Sequence, residues 1–158
     1  MIATKQLFSY VLLMSTLVSC STAPVVAPEP PAPASASEAL FHALSTLDID
    51  YRRGGHTPAS GFDCSGLVQY VYHTAYGIKL PRVARDQGRA GKPVERDALQ
   101  PGDLVFYNTL REPYSHVGIY IGDDRFVHAP KTGTAVRVES MRAAYWTRRY
   151  DGARRILD

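Results

Sequence analysis

Cysteine is scarce in this chain. There are two in 158 residues, Cys20 and Cys64, so no multi-disulfide framework staples the fold. Charge of one sign is scarce too. Eighteen Lys and Arg stand against 15 Asp and Glu, a net +3, and the basic residues are scattered. That balance gives no argument for a nucleic-acid partner. No internal repeat is visible, which sets repeat architectures aside. The apolar run Leu7 to Val18 falls short of the roughly 20 residues that a spanning helix needs. Neither a Cys-x-x-Cys nor a His-x-x-x-His spacing occurs, so the usual zinc-ligand patterns are missing.

What the N-terminus does contain has the form of a targeting segment. Lys5 precedes the apolar run, which suits a signal h-region. The run ends in Leu17-Val18-Ser19-Cys20, which resembles the processing box of bacterial lipoproteins, where the cysteine becomes the lipidated first residue. A plain secretory signal with an incidental cysteine is the alternative. On the lipoprotein reading, residues 1–19 are the signal and Cys20 carries the lipid. Ser21 follows where sorting signals for retention in the inner membrane have aspartate. By that resemblance the anchor sits in the outer membrane and the domain in the periplasm. Residues 20–37 form a spacer rich in Pro, Ala and Ser, and residues 38–158 form one globular domain. Lipidation of Cys20 leaves Cys64 as the one thiol, unpaired in an oxidising compartment, and such a cysteine calls for a function.

The domain opens with a predicted helix capped by Ser37, with Leu40, Phe41, Leu44 and Leu47 as its buried stripe. A loop with Pro58 and Gly61 leads to Asp63-Cys64-Ser65-Gly66. Asp63 is a good N-cap. Leu67, Val68, Val71, Tyr72 and Ala75 recur at helical spacing beyond it, and Gly77 is a suitable C-cap. Cys64 then occupies the first helical position, where the helix dipole is expected to lower its pKa. The competing reading is a buried, inert cysteine. Further on, a short helix is expected within Val83 to Gly91 and a strand over Leu104 to Tyr107.

Ser115 to Ile121 alternates, with Val117, Ile119 and Ile121 on one side and His116, Gly118 and Tyr120 on the other. A turn at Gly122-Asp123-Asp124 returns the chain through Arg125 to Ala129. A three-residue loop pairs Ile121 with Arg125, Ile119 with Val127 and Gly118 with His128. His116 and His128 are then diagonal neighbours on one face, roughly 7–8 Å apart by Cα, and Gly118 leaves open space beside the imidazole. A two-residue loop would place the histidines on opposite faces. A thiol with two histidines suits nucleophilic catalysis: Cys64 attacks, His116 accepts its proton, and His128 orients the imidazole. That pair needs no cofactor. A metal site is the rival use of these residues, but no fourth ligand suggests itself. His42, His56 and His73 read as surface or structural. Strand Ala135–Glu139 and the helical stretch Met141–Tyr145 read as scaffold. For Trp146, Arg148, Arg149 and Tyr150 the choice lies between the edge of a groove and ordinary packing. For Arg82 and Arg85 it lies between an acidic substrate and water.

Gly61-Phe62-Asp63-Cys64-Ser65-Gly66-Leu67-Val68, Pro81-Arg82, Pro101-Gly102-Asp103-Leu104-Val105-Phe106, Ser115 to Gly122 and Phe126-Val127-His128-Ala129-Pro130 together resemble the NlpC-type cysteine peptidases of bacterial cell walls. The resemblance runs from about Tyr51 to Ile156, with the motifs in family order. It implies a papain-like α+β fold in which a helix bearing the cysteine packs on an antiparallel sheet bearing the histidines. It implies catalytic Cys64, His116 and His128, with Tyr51, Asp63 and Ser65 at the substrate. Arg53 stands where many members have Trp. The implied activity is hydrolysis of amide bonds in peptidoglycan, cutting either γ-D-glutamyl to diamino-acid bonds or D-alanyl to diaminopimelate cross-links. A non-catalytic peptidoglycan-binding lipoprotein of the same fold is the alternative, as is a related acyltransferase or amidase.

Overall fold

The computed structural model describes residues 35–157. The expected signal, the lipidation site at Cys20 and most of the spacer lie outside them. Helix α1, Ala36–Ser45, starts after Ser35 rather than Ser37. It buries Ala39 and Ala43, while Phe41 and Leu44 are exposed. Leu47, just past the helix, packs partly buried against the core as expected, but Leu40, Phe41 and Leu44 were expected to face inward as well. Instead two alanines one turn apart form the contact face, and Ala39 N–H donates to the Tyr76 hydroxyl of the next helix.

A small hairpin, β1 (His56–Thr57) with β2 (Gly61–Phe62), leads into α2, Cys64–Tyr76. Leu67, Val68, Val71 and Tyr72 form the buried face of α2, and Gly77 ends it in the left-handed conformation at φ 68°. Helix α3 is a single turn, Ala84–Gln87.

The remaining strands are β3 (Lys92–Val94), β4 (Leu104–Tyr107), β5 (His116–Gly122), β6 (Arg125–His128), β7 (Arg137–Ser140) and β8 (Tyr150–Arg155). They form one antiparallel sheet in the order β3-β8-β4-β5-β6-β7. Between β7 and β8 lies the one-turn helix α4, Ala144–Thr147. This is an α+β arrangement. Strands β3 and β8 carry no clean alternation and were not expected from the sequence.

The sheet is covered on both faces. Val117, Ile119, Val127, Leu104 and Phe106 pack with the apolar side of α2. On the other face Val105, Tyr107, Phe126, Met141, Trp146 and Ala153 form a second cluster.

The β5–β6 turn differs from the expected three-residue loop. Asp123 and Asp124 form a two-residue turn at φ 52° and 51°, as a tight hairpin of this hand requires. Gly122 pairs with Arg125, and the register shifts between Tyr120 and Gly122. Ile121 is therefore an extra, bulged residue. The bulge restores Ile119 opposite Val127, so the two histidines still share a face.

Candidate active site

Asp63 builds one half of the site. As N-cap of α2 its Oδ1 accepts the Gly66 N–H at 2.7 Å, and its Oδ2 accepts the Gly54 N–H at 2.9 Å. Arg82 clamps both oxygens, at 3.0 and 2.7 Å. Ser65 Oγ donates to Asp63 at 3.3 Å and accepts from Arg82 at 3.0 Å. Burial alone would raise the Asp63 carboxyl, but hydrogen bonds from Arg82, Gly66 and Gly54 hold it below its usual value. The polar groups of Asp63 and Ser65 are thus engaged by their own chain. Gln87, fully buried, donates to the carbonyls of Ser65 and Pro81 at 3.0 and 2.8 Å and ties α3 to the start of α2. The first turn of α2 also presses on the loop before it. A Cβ on Gly66 would lie 2.1 Å from the Gly55 carbonyl oxygen, so only glycine fits there.

Cys64 is free and only partly exposed at the head of α2. Backbone N–H groups of Val117, Ser65 and Cys64 itself face its sulfur and favour the thiolate, as the dipole argument expects. Burial and the neighbouring Asp63 charge outweigh them and push the thiol up to about 11. A thiol raised this far is neutral at pH 7. Val117 directly follows His116 on β5, so the thiol lies against the strand that carries the histidine. Tyr51 is half-buried and bridges to Phe62, two residues before Cys64; burial, Cys64 and Asp63 all raise its hydroxyl pKa. Arg53 is exposed and acts on Tyr51 in the opposite sense.

The histidines build the other half. His116 Nε2 and His128 Nδ1 are 2.8 Å apart, and both residues are buried. His128 Nε2 points at Glu139 Oε1 on β7, at 3.6 Å, and has no closer partner among the described residues. Glu139 accepts from Trp146 Nε1 and from Arg137 Nε, the latter at 2.6 Å. The Trp146 ring stacks on His116 at 5.6 Å and 26° and meets His128 edge-on at 5.0 Å. Burial and the neighbouring His128 drive His116 down to about 3, and burial also lowers His128. The contact with His128 holds Glu139 at about 2, against burial and with help from Trp146 and Arg137. The space beside Gly118 is filled rather than open. A Cβ there would lie 2.5 Å from Phe126 Cδ2 and 2.9 Å from the Val127 carbonyl oxygen.

His116 and His128 are in contact, and the Cys64 sulfur faces the N–H of Val117, the residue after His116, with Asp63 and Ser65 turned inward to support the helix start. Arg82 is committed to Asp63, and Arg85 pairs with Glu112 at 2.5 Å. Arg85 and Glu112 both lie exposed to water. His56 and His73 are exposed. Among the described residues no three His, Cys, Asp or Glu side chains are grouped to hold a metal ion. Glu139 and Gln87 were not singled out from the sequence; an isolated acid at the end of a strand and a lone glutamine carry no local signal. A neutral thiol set against the strand that carries a neutral imidazole, with a polar chain behind the imidazole, is the set of groups that nucleophilic acyl transfer uses, the thiol proton moving to the imidazole as the sulfur attacks.

The chain is similar to known proteins in both sequence and fold. The chain is 44% identical over 122 residues to the murein DD-endopeptidase MepH of Escherichia coli K12, covering 75% of this chain and 45% of that protein. It is 45% identical over 109 residues to the murein DD-endopeptidase MepS/murein LD-carboxypeptidase of the same organism, covering 69% and 56%. The chain therefore spans about half the length of these curated relatives. A crystal structure of an NlpC/P60 family protein from Bacillus cereus superposes with a TM-score of 0.73 at 32% identity, covering 78% of this chain and 41% of that one. The sequence profile of the NlpC/P60 family matches residues 48–155. That span takes in the helix bearing Cys64 and all the strands bearing His116, His128 and Glu139, and the chain belongs to the NlpC/P60 family.

Proposed function

We propose that this chain is a cysteine endopeptidase of the bacterial cell wall, hydrolysing amide bonds in peptidoglycan stem peptides or their cross-links. Cys64 is the nucleophile, His116 the general base and then acid, and His128 its orienting partner. The observation that carries this is the buried 2.8 Å contact between His116 Nε2 and His128 Nδ1, on the strand against which the Cys64 thiol sits. With Nε2 occupied, His116 has Nδ1 left to meet the thiol. The Cys64 S–H bond breaks, its proton goes to Nδ1, and the sulfur attacks the amide carbon. The same proton then passes to the leaving amine, and water releases the acyl group. Asp63 and Arg82 fix the head of α2, and Tyr51 borders the substrate.

The DD-endopeptidase names of MepH and MepS support a D,D bond of murein, which we read as the cross-link between D-alanine and diaminopimelate. Residues 1–19 serve as a lipoprotein signal, Cys20 carries the lipid, and residues 20–37 hold the domain off an outer-membrane anchor, facing the periplasm. No helix among the described residues is long and apolar enough to cross a membrane.

The test is a digest of purified diaminopimelate-type sacculi with the full chain in mild detergent, beside Cys64→Ala, with products identified by mass. Loss of cross-linked dimers and appearance of tetrapeptide monomers is expected. Stems truncated after D-glutamate would move the specificity to the γ-glutamyl bond. Equal products from Cys64→Ala and wild type would overturn the mechanism.

A further inference from the structure

Glu139 sits behind the two histidines, and its place there has a consequence for where their protons reside. For His116 to take a proton from Cys64, Nδ1 must be a bare lone pair, so Nε2 must carry the hydrogen. That N–H then donates to His128 Nδ1, 2.8 Å away. His128 Nδ1 must in turn be an acceptor, so its hydrogen lies on Nε2. The reverse order is chemically as good for the histidine pair alone. His128 could donate from Nδ1 to His116 Nε2, and His116 would then hold its hydrogen on Nδ1, where it blocks acceptance of the thiol proton. Two histidines by themselves do not choose between these orders.

We propose that Glu139 makes the choice, as a positioning residue that fixes both tautomers. His128 is fully buried, and its Nε2 faces the Glu139 carboxylate with no closer partner among the described residues. If Nε2 were bare, a lone pair would face a carboxylate oxygen, and the repulsion in a water-poor site is costly. With hydrogen on Nε2 the contact is attractive. At 3.6 Å it is long for a hydrogen bond, and catalytic hydrogen bonds often tighten when substrate binds. Glu139 is itself held as an anion: Trp146 Nε1 donates to Oε2 and Arg137 Nε to Oε1. The donors therefore run one way, from His116 Nε2 to His128 Nδ1 and from His128 Nε2 to Glu139, and leave His116 Nδ1 bare.

This inference rests on the proposed role of His116, but its test reads tautomers directly and needs no turnover. Nitrogen-15 histidine spectra of the full-length wild-type chain at neutral pH should show both His116 and His128 protonated at Nε2. Nδ1 protonation of His128 overturns the proposal, whatever the activity. Glu139→Leu should place hydrogen on Nδ1 of both rings in part of the molecules and lower kcat by about 100-fold with little change in KM, by analogy with triads whose orienting acid is lost. Glu139→Gln keeps an acceptor oxygen for Arg137 and His128, so it should keep the wild-type tautomers and lose about tenfold or less. A fall in kcat for Glu139→Leu with both rings still protonated at Nε2 would reduce Glu139 to a structural part and overturn the proposal. Should Glu139→Leu fail to fold, the wild-type spectrum alone decides.

Discussion

The two halves of the site are built by opposite means. The cysteine half lies closer to the surface, and charge and backbone hold it: one carboxylate caps a helix through the Gly66 N–H, gathers the loop N–H of Gly54 and pairs with Arg82. Most of its parts lie within residues 51–66. The histidine half is buried and is held by rings, with Trp146 against both imidazoles and Phe126 beside His128. Its parts come from β5, β6, β7 and α4. A nucleophile must be reachable, so it is placed by short-range polar contacts that tolerate water. A base must keep one orientation, so it is placed by packing that excludes water.

The sharpest break in this comparison removes one reacting group from either half. Cys64→Ala and His116→Ala should each lower hydrolysis of sacculi by at least about 1,000-fold, and the double variant should be little worse than either, because the two act as a unit. Circular dichroism should show the fold kept in Cys64→Ala, where the cavity left is small. Losses that multiply in the double variant would mean that the halves act separately.

Trp146→Ala tests whether packing alone holds the histidine half. Trp146 is 6% exposed, and the variant should lose about 3–5 kcal/mol in urea titration, with kcat falling as the imidazoles loosen. Unchanged kcat in a destabilised protein would show that the ring is scaffold only.

Acid should also strike the histidine half. His116 falls from 6.5 to about 3 on folding and Glu139 from 4.5 to about 2. Both bind protons more readily when unfolded, so stability is lost as pH falls from about 6.5 towards 3 and then 2. Urea midpoints at pH 7, 5 and 4 should decline, and His116→Ala should flatten the upper part of that decline. A midpoint independent of pH over this range would contradict the buried neutral imidazole.

The cysteine half should give the smallest effects on stability. Asp63→Ala removes the N-cap and should cost about 1–2 kcal/mol. Arg82→Ala should cost less than about 1 kcal/mol, since Arg82 is 40% exposed and its pairing is screened by water. Thermal midpoints that rank Arg82→Ala below Asp63→Ala would show that pairing, rather than capping, fixes the head of α2.

Legibility followed the same division. Helix α2 was readable from its cap, its apolar spacing and Gly77, all of which are local signals. The alternation of β5 and β6 was readable because one face packs on apolar side chains throughout. The turn was misjudged by one residue, and the bulge at Ile121 corrected the register. The stripe on α1 was misread because α1 packs through Ala39 and Ala43, which carry a weaker hydrophobic signal than Phe41 and Leu44. The thiol pKa was misjudged in direction: the helix dipole is a local effect, but burial and Asp63 overrule it.

By itself, the sequence singled out Cys64, His116 and His128 as the residues proposed for the chemistry and determined that Cys64 begins a helix, because caps, periods of 3.6 and 2, and turn residues act over a few positions. Only the tertiary structure decided that the histidine face is dry, that Trp146 lies against both rings, and that Glu139 stands behind His128. Those facts depend on strands and a helix brought together across the chain, where burial sets the strength and direction of every charge.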